Sequence, residues 1–247
     1  MRERLSSTLC GVGAAVSRRV LRGDDARLVR DVVRQHPWLE RMVVEKGVST
    51  EVNAALDVGK KVLIEGTQGF GLSLYHSENY PRSTSRDTTA SGFLSEVGIS
   101  PRMVTEIVVV LRTFPIRVAG QQAGPLREEI TWEQLRAESG YPHVIEERTT
   151  VTNKLRRVAR FDWELGRTAI AINRPTRVAI NGLDYLDYRN RGVVDFDSLT
   201  DVAKVFVERL KTSYSCDVSY LGTGPQLDQV FSGTNGLGET LHMGIAR

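Results

Sequence analysis

Between Lys61 and Ala90 the chain reads KVLIEGTQGFGLSLYHSENYPRSTSRDTTA, and its polar residues have the types and spacing of a ligand site. Gln68, close to Gly66 and Gly69, offers an amide donor and an amide acceptor where glycines let backbone approach a ligand. Further on, Ser83, Thr84, Ser85, Thr88 and Thr89 gather hydroxyls at what reads as a helix start, a combination suited to phosphate. The competing reading is a hydroxyl-rich turn that caps its own helix. A second polar stretch, Glu146 to Asp162, contains Thr149, Thr150, Thr152, Lys154, Arg148, Arg156, Arg157 and Arg160. Arginine's planar fork suits a carboxylate. The same composition also fits an exposed basic hairpin or an RNA-contacting loop.

The elements that position these residues alternate between strand and helix character. Strand-like runs fall at 62–64, 107–111, 176–180 and 218–221, with helical patterns between them. The fold class expected is α/β, a mostly parallel sheet flanked by helices. Helices are expected over Asp24–His36, Thr50–Val58, Trp163–Asn173 and Ser198–Leu210, the last with Leu199, Val202, Val205, Phe206 and Leu210 on one side. Thr131 and Gln134 fit a capping box, with Trp132 assigned to packing. Leu5 to Arg22 reads either as a phosphate loop opening a helix or, more simply, as a glycine turn before an amphipathic helix.

Composition narrows the class. The chain has 247 residues, 40% hydrophobic and 26% charged, with a net charge of +3. That describes a globular α/β domain with a full core, and the scattered basic residues do not indicate nucleic acid. Cys10 and Cys216 lie far apart without ligand spacing, so neither a disulfide framework nor zinc is expected. A reducing cytoplasm fits, with no membrane span and no signal peptide.

The wording of the central stretch resembles the adenylosuccinate synthetase family, in which a strand leads to an EGAQG-like turn, a Tyr-Pro and a Thr-Ser-Ser-Asn-Thr-Thr run. Here these are Glu65 to Gly69, Tyr80-Pro81 and Thr84 to Thr89, with Arg86 and Asp87 in place of Ser and Asn. Ser7, Thr8, Gly11 and Gly13 match part of the family's 5′-phosphate loop. Thr150 to Arg157, followed by Phe161 and Asp162, falls on its aspartate-binding loop, with Asn153 and Lys154 replacing Gly and Arg. The Gln-Gly-Phe-Gly and Thr-Ser-Arg-Asp-Thr-Thr wording lies closer to the phage-type branch, which acts on a guanine deoxynucleotide. Asp184 and the turn Gly222-Thr223-Gly224-Pro225 match the pocket for the triphosphate's base, although Gly182 replaces the family's lysine. On its own, an acidic residue at a strand end is often only a cap.

The resemblance implies a ligase joining L-aspartate to C6 of a purine nucleoside monophosphate, IMP or GMP/dGMP, with hydrolysis of GTP or ATP through a 6-phosphoryl intermediate. It implies Gln68 as the catalytic residue; Thr8, Arg22, Gln68, Thr84 and Lys154 for the monophosphate; Thr150, Thr152 and Arg156 for aspartate; and Asp184, Gly222, Thr223 and Gly224 for the triphosphate. The family works as a homodimer in which an arginine of the neighbouring subunit reaches the phosphate; Arg18, Arg19 and Arg22 are the candidates, and a solvated helix face is their plainer reading. Mg2+ is implied, but its usual ligands are absent, as is the Gly-Asp-Glu-Gly-Lys-Gly loop that an earlier segment of the family carries. The expected organisation is a synthetase-like domain over 1–231 and a flexible tail over 232–247. The alternative is a catalytically incomplete purine-nucleotide-binding module or half of a split enzyme.

Overall fold

The computed structural model describes residues 10–43 and 46–233. The chain forms two compact units, Met1–Thr105 and Glu106–Arg247.

The first unit is built from helices and long ordered loops. Gly11, at φ 79°, turns the chain into α1 (Val12–Leu21), the helix that both readings of this segment expect. The helix expected from Asp24 is shorter: α2 covers Val29–Val32 and continues as a 3-10 turn to Gln35. It begins there because the Leu28 N–H donates to the Asp31 carboxylate at 2.7 Å, fixing the first turn. Helix α3 spans Val48–Asp57 and α4 spans Ala90–Val97. The Ser49 hydroxyl donates to the Val97 carbonyl at 2.7 Å and the Asn53 amide to that of Gly98 at 3.0 Å, so α3 satisfies carbonyls at the end of α4. The strand expected at Val62–Ile64 has no ladder partner among the described residues, and Leu63 is 90% exposed. An aliphatic run becomes a strand only when a neighbour takes its backbone hydrogen bonds.

The second unit contains the expected α/β layers. Strands β1 (Val108–Arg112), β5 (Arg177–Asn181), β6 (Val218–Gly222) and β7 (Val230–Ser232) form one sheet in the order β1-β5-β6-β7. The first three run parallel and β7 antiparallel. Helices α6 (Trp163–Asn173) and α7 (Asp201–Tyr214) contribute Ile170, Val207 and Leu210 to a cluster with Val178, Ile180, Leu183, Val218 and Leu221. The buried side of α7 differs from expectation: Ala203, Val207, Leu210 and Tyr214 face inward, while Val202 and Val205 are exposed. Two apolar stripes overlap on this helix, and the side that packs has the small Ala203, which permits close approach.

A smaller antiparallel sheet orders β2 (Ile116–Arg117), β4 (Arg157–Ala159) and β3 (Glu129–Ile130) as β2-β4-β3. Helix α5 (Trp132–Ser139) contributes Trp132 and Leu135 to a second cluster with Phe114, Tyr141, Ile145 and Val158. Its capping box forms as expected: Gln134 N–H donates to the Thr131 hydroxyl at 3.0 Å, and Thr131 N–H to the Gln134 side chain at 2.8 Å. Ser232 closes β7, and residues 234–247 lie outside the described residues.

Candidate functional site

In the first unit, the loop from Phe70 to Ala90 is held by the Asp87 carboxylate. One oxygen accepts from the Ser73 hydroxyl at 2.9 Å and from the Thr89 N–H at 3.2 Å; the other accepts from the Thr89 hydroxyl at 2.6 Å. Ser73 is wholly buried, and its oxygen in turn accepts from the N–H groups of Tyr75 and His76. Burial pushes the Asp87 carboxyl up, but the bonds from Thr89 and Ser73 outweigh it and hold the group below the usual carboxylate range. Gly92 is needed beside this hub, since a Cβ there would lie 2.7 Å from an Asp87 oxygen.

The hydroxyls singled out from the sequence divide into two sets. Thr88 donates to the Gly69 carbonyl at 3.1 Å, and Thr89 caps α4 by accepting from Gly92 N–H at 3.1 Å, so these two serve the fold. The side chains of Ser83, Thr84 and Ser85 make no hydrogen bond to any described residue, although Thr84 N–H donates to the Leu72 carbonyl at 2.7 Å. The capping reading therefore holds for Thr88 and Thr89, while the hydroxyls of Ser83, Thr84 and Ser85 are left open. Gln68 is exposed, its amide has no hydrogen-bond partner among the described residues, and its backbone is left-handed at φ 68°. That conformation is uncommon outside glycine and concentrates at functional positions. The amino-terminal end of α1 comes to the same place: a Cβ on Gly13 would lie 3.6 Å from the Ser85 side chain. Gly13 thus meets Ser85 of the hydroxyl set, Gly11 has no neighbour within 4 Å of where a Cβ would stand, and Thr8 lies outside the described residues. Of the arginines on α1, Arg18 pairs with Asp25 at 3.3 Å, while Arg19 and Arg22 have no acidic partner among the described residues.

In the second unit, Glu146 to Arg157 folds back on itself. Thr149 N–H donates to the Lys154 carbonyl at 2.9 Å and Asn153 N–H to the Thr149 carbonyl at 2.8 Å. Asn153 takes φ 48°, a left-handed angle that asparagine tolerates better than most residues, which accounts for Asn where the resembled loop has Gly. The Thr149 and Thr152 hydroxyls share a 2.6 Å hydrogen bond, and Thr150 is exposed. The basic residues again divide into two sets. Arg148 pairs with Glu146 at 2.8 Å, Arg160 with Glu138 at 2.7 Å, and Arg157 with both oxygens of Glu129. Lys154 and Arg156 have no acidic partner among the described residues. Arg156 uses Nε to donate to the Arg148 carbonyl at 3.4 Å, leaving its terminal fork available for a carboxylate.

The fourth group lies at the carboxyl ends of the parallel strands, where ligands of such sheets collect. Asp184 is buried; its carboxylate accepts from the Tyr141 hydroxyl and from Arg191 at 3.1 Å, while Arg191 also donates to the Tyr141 oxygen at 2.7 Å. Burial pushes Asp184 above the usual carboxylate range, against the pull of Tyr141 and Arg191. Thr223 is wholly buried, with its hydroxyl 2.8 Å from the Val193 carbonyl and 3.1 Å from that of Gln229. A Cβ on Gly222 would overlap Asn181, and one on Gly224 would overlap Gln229. Asp184 and Thr223 are thus committed to protein partners, and among the described residues no group of three or more His, Cys, Asp or Glu side chains is placed to hold a metal by itself. No described helix is long and apolar enough to cross a membrane. No motif in the sequence singles out Tyr141 or Arg191: Tyr141 meets Asp184 across 43 positions, and Arg191 follows it at seven positions without a recognisable spacing.

Known proteins agree on one family. The adenylosuccinate synthetase family model matches residues 2–191. The adenylosuccinate synthetase of Thermococcus onnurineus is 40% identical over 230 residues, covering 93% of this chain and 63% of that protein. That of Methanocaldococcus jannaschii is 40% identical over 236 residues, covering 95% and 63%. The chain therefore spans less than two thirds of the length of these relatives. Among solved structures, the cyanophage S-2L succinoaminodeoxyadenylate synthetase (PurZ), bound to dGMP and to dATP as an energy donor, has TM-score 0.71 at 27% identity, covering 93% of this chain and 62% of that one. A fully ligated adenylosuccinate synthetase from Plasmodium falciparum has TM-score 0.70 at 18% identity, covering 94% and 65%, and shows the shared fold. With its fold and more than half its sequence accounted for in this way, the chain belongs to the adenylosuccinate synthetase family.

Proposed function

We propose that the chain carries the purine-monophosphate and aspartate sites of a synthetase-type ligase, which joins L-aspartate to C6 of a purine nucleoside monophosphate at the expense of GTP or ATP. The observation that carries this reading is the meeting of Gly13 with Ser85, which brings two remote phosphate-suited stretches together where the side chains of Ser83, Thr84 and Ser85 have no hydrogen-bond partner among the described residues. A helix start and clustered hydroxyls suit the 5′-phosphate. Thr84 and Thr8 hold that phosphate, Lys154 contributes a cation, and Arg22 of a second copy in a homodimer reaches it, since Arg22 has no acidic partner among the described residues.

Gln68 faces the purine near O6. In the family's reaction the γ-phosphoryl group moves to O6; the aspartate amine then attacks C6, and the C6–O6 bond breaks as phosphate leaves. The Gln68 amide can donate to O6 while charge shifts onto it. Thr150, Thr152 and the Arg156 fork orient the aspartate carboxylates, which fixes the amine for attack. The triphosphate belongs at the ends of β5 and β6. There Gly222 and Gly224 set the backbone path, and Asp184 and Thr223 shape the pocket from within. GMP or dGMP is the preferred monophosphate, by similarity to the phage enzyme and the shared wording of Thr84 to Thr89. The cytoplasm is the proposed location.

The second reading is a purine-nucleotide-binding module or half of a split enzyme, which binds nucleotide without turnover. RNA binding is not favoured, since Arg148, Arg157 and Arg160 are already neutralised by glutamates. The test is calorimetric titration with dGMP and deoxyguanosine. Thr84→Val should weaken the monophosphate by about 1–2 kcal/mol and leave the nucleoside unchanged. Equal weakening of both would remove the phosphate assignment. Phosphate release on adding GTP or ATP and aspartate then separates the ligase from the binding module.

A further inference from the structure

We infer that Trp132 is a positioning residue for the carboxylate-gripping arginine, an inference that rests on the aspartate site proposed above. Trp132 is the first residue of α5, held there by the Thr131–Gln134 capping box, and is 8% exposed. Its ring packs edge-on to Tyr185 at 6.3 Å, inside the cluster that contains Leu135 and Val158. The indole Nε1–H points out of this apolar surrounding and donates to the Arg156 carbonyl at 2.7 Å. A buried indole N–H needs a partner, and here it takes the main chain of the residue whose side chain has the open fork. Arg156 N–H donates to the Glu147 carbonyl at 2.7 Å, and Arg156 Nε to the Arg148 carbonyl at 3.4 Å. The backbone of Arg156 is therefore pinned on both sides and its side chain at Nε, so that only the terminal nitrogens remain to move. The pin reaches back through α5 to the second cluster, which gives a surface loop the rigidity of a core position.

The test uses Trp132→Phe, which keeps an aromatic ring in the cluster and removes the donor. In the full chain, L-aspartate affinity measured calorimetrically in the presence of dGMP should fall about three- to tenfold, the range expected for one hydrogen bond, while dGMP affinity stays within twofold. A general loosening of the fold would weaken both ligands, and that result would overturn the inference. On an Arg156→Leu background, Trp132→Phe should cause no further loss of aspartate affinity, because the group it positions is gone; an additive loss would count against positioning. Should the unaltered chain bind dGMP but not aspartate, the aspartate site itself fails and the role of Trp132 with it. If it binds aspartate and Trp132→Phe does so equally well, the site stands and the positioning role alone is wrong.

Discussion

Within Glu106–Arg247, Leu135, Ile180, Leu183 and Leu210 are wholly removed from water in two apolar clusters. Within Met1–Thr105 the buried described residues are Ser73, Thr88, Thr89 and Ile99, and none of these lies within α1 to α4. One unit is thus ordered by apolar burial, roughly 25 cal/mol for each Å² removed from water. The other relies on hydrogen bonds converging on Asp87, each worth about 1 kcal/mol net. Such a unit is expected to open locally at lower cost. Gln68 and Thr84, proposed above for purine and phosphate, thus stand in the more adaptable unit, and the loop proposed for aspartate in the more rigid one.

The sharpest way to break this comparison is Leu210→Ala, which empties a fully buried position; it should cost about 2–5 kcal/mol in urea unfolding. A loss below about 1 kcal/mol would mean that the cluster does not carry the second unit. Gly66→Ala comes next: a Cβ there overlaps the Phe93 ring, and the expected loss of about 1–3 kcal/mol should appear as faster amide exchange in α4 while β5 and β6 stay protected.

Asp87→Asn should cost about 1–2 kcal/mol, because an amide cannot accept from Ser73 and Thr89 on both of its ends. It also sharpens the contrast through pH. With its folded pKa depressed, Asp87 contributes stability that is present above the usual carboxylate range, about pH 4, and is lost as pH falls through the lower folded value. Asp184 has the opposite sign: with its pKa raised by burial, its contribution is greatest at low pH and is lost as pH rises through the folded value. Amide exchange of α4 between pH 3 and 6 should therefore slow with rising pH relative to the Asp87→Asn protein, and Asp184→Asn should flatten the reverse trend near Tyr141. The smallest effect belongs to Leu63→Ser, under about 0.5 kcal/mol, since Leu63 is 90% exposed.

Much of the second unit is legible in the sequence because its signals are local. Helix α6 follows Trp163–Asn173 residue for residue, the Thr131 capping box forms, and the runs at 107–111, 176–180 and 218–221 become β1, β5 and β6. Val62–Ile64 carries the same aliphatic signal but lacks a ladder, which depends on a neighbour that the run itself cannot specify. The inward side of α7 depends likewise on what the sheet presents to it. At the candidate site, residue types pointed to the two loops but not to which of their side chains the fold itself uses. Whether Thr84 or Thr89 has an open hydroxyl is decided by Asp87 and Gly92, and whether Arg156 or Arg157 has an open fork is decided by Glu129, 28 positions from Arg157. Charge balance between remote positions leaves no periodic trace.

The left-handed Asn153 has a consequence for how relatives of this loop should be compared. The constraint at that position is a backbone angle, so glycine and asparagine are interchangeable there even though substitution tables score them as dissimilar. A β-branched residue of closer chemical type would open the Thr149–Lys154 turn. Descent at this position is traced by the torsion that the chain preserves, and two sequences that look divergent here can encode the same loop.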